Sequence, residues 1–337
     1  MSDFLFQWRL CRRPLFQPVQ TANETWRERL SLIVRLEDAD GRSGYGEVAP
    51  IEAFGSESLD YAAQCLRSLG SRLDLASILR IVPNFRATRF GLTCALADLQ
   101  AEAAKSILLP RAALLKLDAS LELACRRLAD EGFRVAKVKV GVGDGPSERQ
   151  QLREVLATLP DGFQLRLDAN GSMDLKTLET WVACFSGEAK IECLEQALLP
   201  SLALKQVSAL KTLNQRLPLA LDESVSSAES WKQWTQELQW PGILVLKPSV
   251  FGSLDECRQA IADRPEQVIL SSSFESLVGL RALLRLAAEF ELKRPLGLGT
   301  VDYFVEQRER FSAADLAANA LSKELMNDLW ESLEVVI

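Results

Sequence analysis

From residue 111 onward, short stretches rich in β-forming residues alternate with amphipathic helical stretches, and this alternation constrains the fold more than any other feature of the chain. Their successive starts lie about 22 to 30 residues apart, the spacing of β/α units around a parallel barrel. The strand-like stretches are AALLKL (112–117), RVAKVKV (134–140), QLRLDAN (164–170), IECLEQ (191–196), PLALDES (218–224), GILVLKP (242–248), QVILSSS (267–273) and RPLGLGT (294–300). We therefore predict an α/β fold, a (β/α)8-type (modified TIM) barrel over residues 106–303.

The first hundred residues follow a different pattern. A hairpin turning at Asp40-Gly41 is succeeded by helical patterns over 56–69 and 90–105. These features predict an N-terminal α+β capping domain over residues 1–105. The C-terminal segment 304–337, rich in Ala, Leu and Glu, is expected to pack back on it.

Polar side chains stand at the carboxyl ends of the predicted barrel strands. They are Lys139, Asp168, Glu195, Asp222, Lys247 and the run Ser271, Ser272 and Ser273. Because the carboxyl ends of barrel strands share one mouth, where barrel enzymes place their active sites, we expect these side chains to meet in one cavity.

Composition narrows the chemistry of such a cavity. The chain has no histidine, which excludes a Ser-His-Asp triad and any His-ligated metal. A net charge of -7 and the lack of a basic stripe argue against nucleic acid as a partner. Seven scattered cysteines without a C-x-x-C pair predict reduced thiols, and no signal or membrane-spanning segment is recognisable, so we expect a cytoplasmic protein.

Three of the strand-end residues are carboxylates, the ligand type that suits a hard cation. Asp168, Glu195 and Asp222 are therefore predicted to bind Mg²⁺, with Mn²⁺ as the alternative ion. Such an ion can bind a substrate carboxylate and stabilise the enediolate formed when the α-proton leaves. The expected partner is a small-molecule carboxylate, and the oligomeric state is left open between a monomer and a small homo-oligomer.

The lysines are the predicted acid and base groups. A lysine becomes a general base when burial, a metal ion or a second ammonium lowers its pKa toward neutrality. Lys137 is two residues before Lys139, on the same face of the strand, and can supply that second charge. Lys139 is the predicted base, and Lys247, across the barrel, is a second acid/base or a fixed cation.

Each strand-end residue also has a structural interpretation, as a helix cap or a partner in an ion pair. If all of them were structural, Lys139 and Lys247 should form salt bridges with the carboxylates, and the chain would be a non-catalytic binding barrel. The run SSSFES (271–276) fits helix capping as well as substrate binding, since a helix follows it.

At these residues the sequence resembles the muconate-lactonizing subgroup of the enolase superfamily. KVKV (137–140) is similar to the K-x-K strand of that subgroup. RLDANG (166–171), LEQ (194–196) and LDES (221–224) are similar to its three metal strands, and LKPSVFGSL (246–254) to its second-lysine strand. The resemblance implies that Asp168, Glu195 and Asp222 bind magnesium and that Lys139 and Lys247 are catalytic.

Within the subgroup, GYGEVAPIEAFGSES (44–58), SSSFES and GLGTVDYF (297–304) most resemble the o-succinylbenzoate synthase family. This resemblance implies a syn dehydration that yields an aromatic product. It implies that Asn170 and Glu223 support the metal site, and that Thr21, Ser271, Ser272, Ser273 and Gly297 contact substrate. N-acylamino acid racemase and dipeptide epimerase are the alternatives. Ala197 and Gly299 depart from the family pattern, which usually has proline and aspartate at these positions.

Overall fold

The computed structural model describes residues 3–20, 25–101 and 107–335. Its strands are β1 (Phe4–Gln20), β2 (Thr25–Glu37), β3 (Ser43–Val48), β4 (Arg72–Leu73), β5 (Leu108–Pro110), β6 (Ala113–Leu115), β7 (Val135–Lys139), β8 (Gln164–Asp168), β9 (Ile191–Glu195), β10 (Leu219–Leu221), β11 (Ile243–Leu246), β12 (Val268–Leu270), β13 (Asp315–Ala317) and β14 (Glu334–Val335).

The helices are α1 (Leu59–Ser68), α2 (Leu75–Leu79), α3 (Arg86–Gln100), α4 (Leu121–Asp130), α5 (Gly145–Thr158), α6 (Leu175–Cys184), α7 (Pro200–Lys205), α8 (Val207–Asn214), α9 (Ala228–Lys232), α10 (Pro248–Phe251), α11 (Leu254–Ala262), α12 (Leu277–Glu289), α13 (Val305–Arg310) and α14 (Lys323–Ser332). A π-helical turn, Gln233–Glu237, continues α9. In the described part of the chain, no helix is long and apolar enough to cross a membrane.

The barrel strands form one parallel sheet in the order β12-β11-β10-β9-β8-β7-β6. Neighbours in the sheet are also neighbours in sequence, and a helical segment lies between successive strands, as the alternating pattern predicts. The α/β barrel prediction is therefore confirmed. Most residues of these strands are buried on both faces, as expected when helices cover the outside and side chains fill the inside.

The eighth predicted strand, 294–300, does not form a regular strand, so that part of the prediction is wrong. It makes only isolated parallel bridges, from Leu296 to Arg111 and from Gly297 to Ser271. These bridges nevertheless join the two ends of the seven-stranded sheet. The chain here contains Pro295, which has no N–H to donate, and two glycines, both of which weaken a strand.

The N-terminal region forms an antiparallel sheet in the order β14-β1-β2-β3, with β4 paired to β1. The turn from β2 to β3 contains Gly41 at φ 78°, a conformation that glycine adopts without strain. The predicted helix at 56–69 is α1. The pattern at 90–105 corresponds to α3, which begins four residues earlier, and residues 102–106 lie outside the described part.

The C-terminal segment contacts both the N-terminal sheet and the start of the barrel. β14 pairs with β1, and Asn327 of α14 accepts a hydrogen bond of 2.8 Å from the Tyr45 hydroxyl. β13 pairs with β5, next to the first barrel strand. The division of the chain at residues 105 and 303 stays a prediction.

Candidate active site

The inside of the barrel contains an apolar cluster of Cys193, Ala220, Ile243, Val245 and Ile269. Side chains two residues apart on a strand share a face. The residues two positions after the last member of this cluster on each strand therefore lie one level higher, at the carboxyl ends of the strands. The resulting pairs are Cys193 with Glu195, Ala220 with Asp222, Val245 with Lys247 and Ile269 with Ser271.

Three carboxylates stand at this level. Asp168 and Glu195 end their strands as register partners, and Asp222 follows the end of β10. All three are buried. Burial disfavours the charged form of a carboxyl group and raises the pKa of Glu195 to about 7.

Lys137 lies between two of these carboxylates. Its Nζ is 2.6 Å from Glu195 Oε1 and 2.8 Å from Asp168 Oδ2. Burial would lower the pKa of Lys137, but the charges of Glu195 and Asp168 outweigh it and raise the pKa. The attraction acts in both directions: burial would raise the pKa of Asp168, but Lys137, together with the Asn170 N–H and Lys247, lowers it.

Lys247 stands at the other side of the carboxylate group. Its Nζ contacts both carboxylate oxygens of Asp222, at 2.5 Å from Oδ1. Burial would lower the pKa of Lys247, but the charges of Asp222, Glu223 and Glu195 together raise it. Three strands, β8 to β10, separate it from Lys139, as the sequence predicted.

Lys139 has different surroundings. It is the last residue of β7 and is exposed, and it takes part in no ion pair among the described residues. The expectation of a structural barrel, in which both Lys139 and Lys247 pair with carboxylates, is met only by Lys247. Lys137, rather than Lys139, is the lysine that pairs on this side.

Gln196 links the second and third carboxylates. Its Oε1 accepts from the backbone N–H of Asp222 at 2.8 Å and of Ser224 at 3.1 Å. Its Nε2 donates to Ser224 Oγ and to the carbonyl of Leu198. Gln196 has a φ of 37°, so both its backbone and its side chain are fixed at the strand end.

Asn170 and Glu223, the predicted supporting residues, lie next to the carboxylates. Asn170 donates from its backbone N–H and its amide to Asp168, at 3.0 and 3.2 Å, and its amide lies 3.5 Å from Glu223 Oε1. Glu223 Oε2 is buried and has no hydrogen-bond partner among the described residues. This oxygen is a further acceptor beside the three carboxylates.

The predicted substrate contacts from the last two strands lie together. Ser271 and Ser272 both bond the carbonyl of Gly297, and Ser272 also contacts the hydroxyl of Thr300. The Ser273 hydroxyl is buried without a partner in the described part of the chain. Thr21 lies outside the described residues.

The N-terminal region covers the mouth of the barrel. Phe54, in a short 3₁₀ turn, places its ring 4.4 Å from Lys247 Nζ. Arg86 donates to the carbonyls of Gly55 and Ser226 and so fixes this turn to the barrel. Nothing in the local pattern of Phe54 indicated this contact, because it joins residues far apart in sequence.

The two departures from the family pattern occupy tightly packed positions. A Cβ at Gly299 would lie 2.9 Å from the Cβ of Leu114, so the aspartate usual here would require Leu114 to move. Ala197 is buried two residues after Glu195. Neither departure removes a charged group from the site.

The donor set suits a hard divalent cation, since it consists of carboxylate oxygens with an unpartnered Glu223 oxygen beside them. No group of three or more His, Cys, Asp or Glu side chains in the described residues is already arranged as a complete ligand set. Lys137 and Lys247 lie against the carboxylates and balance their charge.

Comparison with known proteins agrees with this geometry. A family model described as "Enolase C-terminal domain-like" matches residues 119–294, and one described as "MenC, N-terminal domain" matches residues 2–99. The o-succinylbenzoate synthase of Thermosynechococcus vestitus is 32% identical over 98% of this chain and 99% of its own length. The chain belongs to the o-succinylbenzoate synthase family of the enolase superfamily.

Solved structures support the family and its fold. The o-succinylbenzoate synthase of Thermosynechococcus elongatus, complexed with magnesium in the active site, has a TM-score of 0.84 and 33% identity, and the match covers 98% of this chain and 100% of that one. A dipeptide epimerase from Methylococcus capsulatus, complexed with magnesium and a dipeptide, has a TM-score of 0.76 and 25% identity, with coverage of 90% and 92%. The enolase-superfamily prediction is confirmed.

Proposed function

We propose that the chain is an o-succinylbenzoate synthase. It removes water from 2-succinyl-6-hydroxy-2,4-cyclohexadiene-1-carboxylate and forms o-succinylbenzoate, a step in menaquinone or phylloquinone biosynthesis. The observation that carries this proposal is the placement of two lysine-bearing strands on either side of three carboxylate-bearing strands, in a chain that matches the family over almost its whole length.

Asp168, Glu195 and Asp222 would hold Mg²⁺, with Asn170 and Glu223 supporting them. When bound, the ion supplies positive charge to the substrate carboxylate as its α-proton leaves. Three carboxylates carry more negative charge than one divalent cation neutralises. Lys137 stays beside Asp168 and Glu195 and offsets the remainder.

Lys139 is the base in this proposal because it alone of the three lysines is outside an ion pair among the described residues. Lys137 and Lys247 are held protonated by the carboxylates that they contact. Lys139 takes the proton α to the carboxylate and then donates it to the departing hydroxyl on the same face. The proton and the hydroxyl leave together as water.

Lys247 keeps its proton and provides a fixed positive charge on the other side of the substrate. Negative charge develops as the enediolate forms, so this positive charge stabilises the enediolate more than it stabilises the bound substrate. Such preferential stabilisation accelerates the reaction. The serine hydroxyls at 271–273 and the Gly297 backbone are the proposed contacts for the rest of the substrate.

We propose the cytoplasm as the location of the protein, because all seven cysteines are free thiols.

The test is turnover by the purified protein with the cyclohexadiene substrate, followed by the absorbance of the aromatic product. We expect dehydration with Mg²⁺, loss of activity with a chelator, and recovery when Mg²⁺ or Mn²⁺ is restored. A folded protein that gives no product with Mg²⁺ would overturn the proposal. A magnesium titration distinguishes the enzyme from a non-catalytic binding barrel, since such a barrel should show no magnesium binding near millimolar concentration.

Racemisation of an N-acylated amino acid is the second candidate, favoured by lysines on both sides of the carboxylates. Either lysine could then exchange the α-proton of a bound amino-acid derivative. Incubation of such derivatives in D₂O with Mg²⁺ should place deuterium at the α-carbon if this activity exists. The absence of exchange would exclude it for the compounds tested.

A further inference from the structure

Glu275 belongs to the SSSFES motif but contacts none of the proposed metal ligands. Its side chain is fully enclosed, with 2% of the residue exposed. Oε1 accepts from Ser249 Oγ at 2.6 Å, and Oε2 accepts from the backbone N–H of Ser273 at 2.5 Å. Its two oxygens therefore bind two different barrel segments.

The first segment carries the second lysine. Ser249 lies in α10, which begins directly after Lys247, and is only 1% exposed. Because only Pro248 separates Ser249 from Lys247, a shift of the serine would carry the backbone of Lys247 with it. Glu275 thus fixes the position from which the Lys247 ammonium reaches Asp222.

The second segment carries the serine run. The Ser273 N–H is bonded to Glu275, whereas its hydroxyl is buried and has no partner among the described residues. A hydroxyl with that environment can bond a ligand only if its backbone is held in place. The same carboxylate therefore orients a proposed substrate contact and the segment of the second lysine.

The turn that contains Glu275 is itself fixed from the N-terminal sheet. Arg13 donates to the carbonyls of Phe274 and Glu275, at 2.5 and 3.0 Å, and Gln307 donates to the Glu275 carbonyl at 2.8 Å. Phe274 has a φ of 63°, a conformation that a bulky residue keeps only when its surroundings impose it. The backbone that carries the carboxylate is thus fixed by contacts other than its bonds to the two segments.

We propose that Glu275 is a positioning residue that sets the Lys247 segment and the Ser271–Ser273 run in a fixed relation to each other. This inference rests on the proposed function for its kinetic consequence. Loss of the carboxylate should lower kcat about 10- to 100-fold, the usual effect of removing a group that orients a catalytic residue. Because Lys247 acts mainly as charge develops on the substrate, kcat and kcat/KM should fall together.

The test compares Glu275→Ala with Glu275→Gln. Glutamine keeps one oxygen for the Ser273 N–H and can donate from its amide to Ser249 Oγ, so it should restore most of kcat. Magnesium affinity should be unchanged in both, because the proposed ligands are on other strands. Asp98→Ala is the matched control, since Asp98 is also a buried carboxylate with several donors, but these donors belong to α12, α14 and β3 and not to the Lys247 segment or the serine run.

Near wild-type kcat for Glu275→Ala would overturn the inference. It would also fail if Asp98→Ala lost as much kcat, or if glutamine gave no recovery. If Glu275→Ala does not fold, Ser249→Ala removes one of the two bonds, and unchanged kcat in that variant would overturn the inference. If the wild-type protein does not dehydrate the substrate, the proposed function fails, and crystal structures of the variants still decide this point: an unmoved Lys247 would overturn it.

Discussion

Two lysines on one strand have different surroundings, and this difference decides their roles. Lys137 contacts Glu195 and Asp168, which hold it as an ammonium ion. Lys139, two residues later, is exposed and makes no ion pair among the described residues. Their relation was predicted as a shared face, but the sequence did not indicate that only Lys137 would be paired.

Replacement of Lys139 by alanine should abolish dehydration and leave the fold and magnesium affinity intact. Loss of a general base costs about 10² to 10⁴ in rate, and this lysine lies outside the carboxylate cluster. Steady-state kinetics, magnesium titration and circular dichroism are the measurements. Near-normal turnover would end the assignment of Lys139 as the base.

Replacement of Gln196 by alanine should weaken magnesium binding about 10- to 100-fold, because its amide fixes the backbone of Asp222 and Ser224. Isothermal titration with Mg²⁺ measures the effect. Gln164→Ala is the control, since Gln164 lies at the start of β8 and its amide donates to the Ala189 carbonyl, away from the carboxylates. Equal affinity in the two variants would contradict the prediction.

At the scale of elements, the barrel closes without a regular eighth strand. Leu296 and Gly297 exchange backbone hydrogen bonds with residues beside β6 and β12, and these few bonds replace a full ladder. The strand pattern correctly placed this stretch between its neighbours. Its proline and glycines explain why regular pairing stops after two residues.

Helix α12 is capped by a residue of the N-terminal sheet. Glu47 of β3 accepts from the N–H and hydroxyl of Ser276 and from the N–H of Gly279. A carboxylate at a helix N-terminus satisfies free N–H groups and interacts favourably with the helix dipole. The N-terminal sheet therefore holds the helix that follows the serine run.

Replacement of Glu47 by alanine should lower the free energy of unfolding by about 3 kcal/mol, because it leaves buried donors unsatisfied. Urea denaturation gives the value. The comparison is Asp174→Ala, which removes the N-cap of α6 at an exposed position and should cost about 1 kcal/mol. If the Glu47 variant loses no more free energy of unfolding than the Asp174 variant, the prediction that Glu47 stabilises α12 from the N-terminal sheet is wrong.

At the scale of the whole molecule, Asp98 joins three parts of the chain. This residue of α3 binds Arg281 and Arg285 of α12 and Lys323 of α14, and it accepts from the Tyr45 N–H. Asp98 is buried, so its removal would take a counter-charge away from Arg281 and Lys323. Together with the pairing of β1 and β14, this cluster ties the N-terminal sheet, the barrel and the C-terminal segment to one another.

We expect the wild-type protein to unfold in a single transition because of these contacts. Urea curves followed by circular dichroism and by tryptophan fluorescence should coincide, and Asp98→Ala should lower stability by about 3 to 5 kcal/mol. Two separate transitions in the wild-type protein would show that the sheet and the barrel unfold independently.

The sequence alone determined the parallel barrel and the level at which its charges lie. Alternation with a period of two assigns side chains to faces, and the carboxyl ends of parallel strands lie together whatever their loops do. These rules are local, so they brought Asp168, Glu195, Asp222 and Lys247 to one mouth without any knowledge of packing.

Only the tertiary structure decided which groups touch. The pairing of Lys137 with Glu195, the ring of Phe54 on Lys247, the bonds of Glu275 and the cap from Glu47 each join segments that are separated by tens to hundreds of residues. No local pattern encodes such a contact, because it depends on how barrel segments, or the N-terminal region and the barrel, pack against each other. The same reason explains the eighth stretch, whose few bonds depend on both ends of the sheet meeting.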